Sequence, residues 1–119
     1  MGLEERKIAD VIVLTPRGML LGGRETDELH EKIKELDQAG NQRLIIDLGK
    51  TTYMSSMGLA ALFRARATYL KREAQVKVCC IDKKVRQMFV LVKLPLVYGD
   101  DVHETLEEAL ASFHAHHTT

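Results

Sequence analysis

Long apolar tracts are missing from this 119-residue sequence. The run Met88 to Val92 already ends at Lys93, far short of the roughly 20 residues that span a bilayer. An excess of one charge is missing too. Seventeen Lys and Arg stand against 17 Asp and Glu, interspersed along the chain, which argues against a nucleic-acid binder that relies on a strong basic field. Cysteine is scarce. The two present, Cys79 and Cys80, are adjacent. Neighbours on a strand point to opposite faces, so a bridge between them is not expected. They read as reduced thiols filling strand positions as small hydrophobes. The N-terminal MGLEERK has no apolar core of a signal peptide, so a cytoplasmic location without a leader is expected. Phosphate-cradling glycine loops of the P-loop or dinucleotide-binding kind are also absent.

Hydrophobic residues make up 45% and charged residues 29%, ordinary for a soluble globular domain. The length suits one domain, 1–119, with an ordered core of about 3–113 and a tail at 114–119. Val11 to Leu14, closed by Pro16, predict a strand, with Leu3 to Ile8 a weaker partner before it. Pro16, Gly18, Gly22 and Gly23 mark turns. Residues 25–39 predict an amphipathic helix, with Leu29, Ile33 and Leu36 on one face, Thr26 as N-cap and Gly40-Asn41 as stop. Residues 43–48, RLIIDL, are apolar enough for a strand buried on both faces. A loop over 49–54 leads to a helix from about 57 to 72, its stripe drawn through Leu59, Leu62, Phe63, Ala67 and Leu70. Residues 75–81 predict a third inner strand. Asp82 caps a helix from Lys83 to Val92, with Val85, Met88, Phe89 and Val92 inward and Pro95 behind it. A short strand is expected over Leu96 to Tyr98. A last helix is expected over 102–114, burying Leu106, Ala109, Leu110 and Phe113. Strands alternating with helices imply an α/β fold with a mainly parallel sheet.

The stretch DLGKTTYMSSMGLAAL, Asp47 to Leu62, concentrates the chemistry. A buried strand ends there, and two serines precede a helix. Functional groups collect at the carboxyl ends of strands in open α/β sheets. A hydroxyl at a helix N-terminus faces unpaired N–H groups and the positive end of the dipole, so a phosphate there is tolerated. Ser55 or Ser56 could equally serve only as an N-cap.

This stretch resembles the signature of STAS domains, the fold of bacterial anti-sigma factor antagonists. Asp47-Leu48, Tyr53-Met54, Ser56 and Gly58-Leu59 fall in step with it. Arg17-Gly18, Leu21-Gly22-Gly23, Lys83 to Phe89 and Leu94-Pro95-Leu96 are similar to further parts of the family. The resemblance implies a mixed, mostly parallel sheet of four or five strands, with four helices mainly on one face. It implies a partner-switching regulator that binds an anti-sigma factor which is also a serine kinase. Phosphorylation of Ser56, with Ser55 the alternative, would release it, and a serine phosphatase would reset it. Two positions depart from the family pattern. Ser55 stands where Asp is usual before the phosphorylated serine, and Met57 replaces the second serine. Leu20, Leu21, Ser55, Ser56, Met57 and Gly58 are the expected partner-binding residues.

Other readings are weaker. A non-switching STAS scaffold, or a stand-alone relative of the domain that ends anion transporters, uses the same fold. A small hydrolase with Ser56 as nucleophile lacks both a G-x-S-x-G elbow and an evident base. Arg64, Arg66, Lys71 and Arg72 read as a solvated face or docking patch. Asp100 and Asp101 do not read as a catalytic dyad. His114, His116 and His117 read as tail, and His30 and His103 have no ligand spacing that defines a zinc site. No cofactor, metal, nucleic acid or membrane partner is expected; a weak homodimer is compatible.

Overall fold

The computed structural model describes residues 2–91 and 98–115. A five-stranded sheet runs in the order β1-β2-β4-β6-β7, built from β1 (Leu3–Ile8), β2 (Val11–Pro16), β4 (Arg43–Asp47), β6 (Gln75–Cys79) and β7 (Val102–His103). Only β1 is antiparallel to its neighbour; the other pairs are parallel. A separate parallel ribbon pairs β3 (Gly18–Leu20) with β5 (Thr51–Met54). Among the described residues the long helices are α1 (Arg24–Gln38), α2 (Ser56–Lys71), α3 (Lys83–Leu91) and α4 (Leu106–Ala115).

The inner strands are buried on both faces, which is why their sequence runs apolar rather than alternating. Leu14, Leu44, Ile46, Val76 and Val78 face one way into the larger core with Leu29, Ile33, Leu59 and Leu62 of α1 and α2 and Val85 of α3. Val11, Val13, Ile45 and Cys79 face the other way, under Ala109 and Phe113 of α4. Three helices therefore share one face and α4 covers the second.

The helix ends follow from local chemistry. Helix α1 stops at a left-handed Gly40 (φ 82°), where Asn41 N–H reaches the Leu36 carbonyl and Gly40 N–H reaches that of Asp37. Its start differs from expectation. Gly23 is the N-cap, and Thr26 lies inside the first turn, its hydroxyl accepting the Gly22 N–H at 2.9 Å. Asp82 caps α3 as expected, accepting the Lys84 N–H at 3.2 Å.

Three expectations are corrected. Residues 51–54 form a strand rather than a loop, because β3 supplies a partner ladder that continues from Gly18 N–H on the Lys50 carbonyl to Ser55 N–H on that of Leu20. Val102 and His103 join the sheet edge, so α4 starts at Leu106. The buried stripe of α2 passes through Ala65 and Tyr69, leaving Ala67 and Leu70 outside, because Leu59, Leu62, Ala65 and Tyr69 pack together in the core; the Tyr69 hydroxyl donates to Asn41 Oδ1 at 2.9 Å. Most of the strand expected at Leu96 to Tyr98, the Val92 and Pro95 end of α3, and His116 and His117 of the tail lie outside the described residues. Among the described residues no helix is long and apolar enough to cross a membrane.

Candidate functional site: the serine turn at the head of helix α2

Ser55 is the N-cap of α2 and has extended backbone. Its N–H and its hydroxyl both turn to the Leu20 carbonyl, at 2.9 and 3.4 Å, and its own carbonyl accepts the Leu59 N–H. The hydroxyl is thus spent tying the helix to β3 and caps no first-turn N–H. Ser56 is the first helical residue and is exposed. No acidic residue occupies the first turn of α2. The N–H groups of this turn and the positive end of the helix dipole therefore meet Ser56 without a protein anion to offset them. Among the described residues no side chain hydrogen-bonds Ser56.

Gly58 sets how closely α2 approaches the ribbon. A Cβ at that position would lie 2.5 Å from the Leu20 carbonyl oxygen and 2.9 Å from the Leu20 Cβ. Only glycine lets the helix head sit against β3 at this distance. Across the turn, a Cβ on Gly22 (φ 95°) would lie 2.8 Å from the Met57 Cβ, so the β3–α1 turn and Met57 are in direct contact.

The surface around Ser56 is apolar. Met57 is 60% exposed, Met19 54%, Leu21 49% and Tyr53 45%. Met19 pairs with Tyr53 across the ribbon. Met19 and Leu21 flank the inward-facing Leu20, so they project outward together. Most large hydrophobes left exposed in the described residues are collected here, and contiguous exposed apolar surface marks interaction sites.

The expected site residues divide accordingly. Leu21, Ser56 and Met57 stand on the surface and Ser55 is half-buried. Gly58 is buried, a spacer rather than a contact. Leu20 is wholly buried, because alternation along β3 turns it into the core; the expectation that it offers apolar contact surface is corrected. Met19 and Tyr53 were missed. Their signal was the short ribbon itself, too brief to show an alternating pattern.

The expected basic face of α2 also divides. Arg66 is not solvated: it bonds the Asp101 carboxylate and the Tyr98 carbonyl and lies over the Tyr98 ring. Arg72 bonds Asp37 and the Asn41 carbonyl and stacks on Tyr69. Only Arg64 and Lys71 of the four are exposed.

The model of the STAS domain matches residues 3–109. This chain belongs to the STAS family. No curated protein matches it significantly. Among solved structures it is similar to an anti-sigma factor antagonist from Mycobacterium paratuberculosis, at 24% identity, TM-score 0.77, covering 92% of this chain and 91% of that one. It is similar to the phosphorylated form of the Bacillus cell fate determinant SpoIIAA, at 16% identity and TM-score 0.73, covering 93% and 98%. It is equally similar in fold to a part of the murine solute carrier 26 family member A9 anion transporter, at 22% identity and TM-score 0.77, covering 92% of this chain and 18% of that one. At these identities the likeness is one of fold.

Proposed function

We propose that this STAS domain is a cytoplasmic anti-sigma factor antagonist, a regulatory binding module without catalysis of its own. Unmodified, it binds an anti-sigma factor that is also a serine kinase and so frees a sigma factor. Phosphorylation at Ser56 releases it, and a serine phosphatase restores binding. The observation that carries this reading is the exposed Ser56 at an uncapped helix head beside Leu21, Tyr53 and Met57.

The switch is electrostatic. Phosphorylation adds about −1.5 to −2 charge at neutral pH. In the free domain the head of α2 receives that charge favourably, because its first-turn N–H groups are unpaired and no carboxylate competes. In the complex the same charge sits in an apolar contact, where an unpaired dianion carries a heavy desolvation penalty. Phosphate therefore weakens the complex without unfolding the domain. Ser55 is a poorer acceptor, since its hydroxyl is engaged with the Leu20 carbonyl.

A second reading, a scaffold that does not switch, is favoured by Met57 and by Ser55, which replaces the usual Asp. The two are separated by precipitating wild type, Ser56→Ala and Ser56→Asp from the native cells. The switch predicts that a protein serine kinase accompanies the first two and is lost from Ser56→Asp. Retention of the same kinase by all three would mean scaffold.

A further inference from the structure

A second cluster of reactive groups lies at the carboxyl ends of β4 and β6, on the α4 face of the sheet, and the switch does not use it. Asp47 ends β4 and pairs in register with Cys79, which ends β6. Both belong to the face that carries Ile45 and Phe113. Cys80 follows in left-handed backbone (φ 64°). That turn overrides the alternation expected of neighbouring strand residues. It brings the Cys80 sulfur to 3.2 Å from the Cys79 sulfur. One ligand atom from each of Asp47, Cys79 and Cys80 lies within 4.8 Å of the others.

We propose that Asp47, Cys79 and Cys80 form a binding site for a thiophilic divalent cation of the zinc group, held by two sulfurs and one carboxylate oxygen. Such ions take thiolate and carboxylate together, with sulfur at about 2.3 Å and oxygen at about 2.0–2.2 Å. Ligand atoms on one ion are then roughly 3.5 Å apart, so shifts of about an ångström close the three donors around it. Three protein ligands leave the fourth tetrahedral position for water or an external group. Asp47 is already oriented: its Oδ1 accepts the Gly49 N–H at 2.8 Å, the kind of support that fixes ligating carboxylates.

The loop packs closely on the cluster at Gly49, where a Cβ would lie 3.0 Å from Asp47 Oδ1 and 3.4 Å from the Cys80 Cβ. Cys80 is half-buried while Cys79 is fully buried, so an ion enters past Cys80.

The test is titration of the reduced full chain with Cd²⁺ alone, read by the thiolate-to-cadmium charge-transfer absorbance in the ultraviolet, then competition with Zn²⁺. One Cd²⁺ per chain with a thiolate band that Zn²⁺ removes is expected. Cys80→Ala should lose most of the band and weaken binding at least about tenfold. Asp47→Asn should keep the band and weaken binding by about 10–100-fold. His116→Ala/His117→Ala should change nothing. Circular dichroism checks that each variant is folded, and Asp47→Asn, at a half-buried position, carries the test if Cys80→Ala is not. Absence of the band at saturating Cd²⁺, wild-type affinity in Asp47→Asn, or loss of binding in the histidine variant would each overturn the site.

Discussion

An alanine at position 58 would place its Cβ 2.5 Å from the Leu20 carbonyl oxygen, a contact that must be relieved by moving α2 away from β3. Overpacking of this kind costs about 1–3 kcal/mol, so Gly58→Ala should lower the unfolding free energy by that amount, read as a lower denaturant midpoint at unchanged m. It should also loosen the Ser55 anchor on the Leu20 carbonyl. Met57 is the contrasting case. It is 60% exposed, so Met57→Ala should leave stability within about 0.5 kcal/mol. As an apolar anchor beside Ser56 it should weaken partner binding by about 2 kcal/mol, the threshold of an interface hot spot. Thermal unfolding and titration calorimetry separate the two effects. At this scale the serines and Gly58 were legible from the motif, because each must occupy a set place at a helix head. Leu20 was misread as surface, and Met19 and Tyr53 were missed, because a three-residue strand does not announce which side chain turns inward.

The ends of the elements carry the next set of consequences. Helix α2 closes as α1 does, with Ala74 N–H on the Tyr69 carbonyl and Glu73 N–H on that of Leu70, but its left-handed residue is Glu73 (φ 60°) rather than glycine. A side chain there costs roughly 1–2 kcal/mol, partly offset by the lower unfolded-state entropy of a non-glycine residue. Glu73→Gly should therefore stabilise the domain by about 0.5–1 kcal/mol in urea unfolding. The inner strands and all four helices were legible because their periods are long enough to count. The β3–β5 ribbon was not, being short and set among turn-forming residues. Nor was the edge strand β7, whose two residues gain their place only by pairing with β6.

Across the whole molecule, one charged network ties the two layers together, and no local pattern foretold it. Lys77 is wholly buried on β6, with its Nζ 2.7 Å from Asp101 and over the Phe113 ring of α4. Arg66 of α2 bonds the same carboxylate. Burial works to raise the Asp101 carboxyl, but the bonds to Lys77 and Arg66 outweigh it and hold the group below the usual carboxylate range. A depressed folded value stabilises the protein above the unfolded value, about pH 4. That contribution is lost as the pH falls through the folded value. Asp101→Asn takes from the buried Lys77 the carboxylate it bonds and should cost about 3 kcal/mol at pH 7, with a shallower acid limb in stability against pH than wild type. The fold as a whole was legible from alternating strands and helices. Its locking charge was not, since Lys77 and Asp101 are distant in sequence and each looks ordinary alone.

The central claim is that Ser56 is the switch, and the most direct measurement is the intact mass and fragment map of the protein isolated from its own cells, beside a Ser56→Ala version. The account predicts one phosphate on the wild type, located at Ser56 and absent from the variant. A wild-type protein that never carries phosphate at Ser56 under any growth condition, with its fold intact, would contradict it.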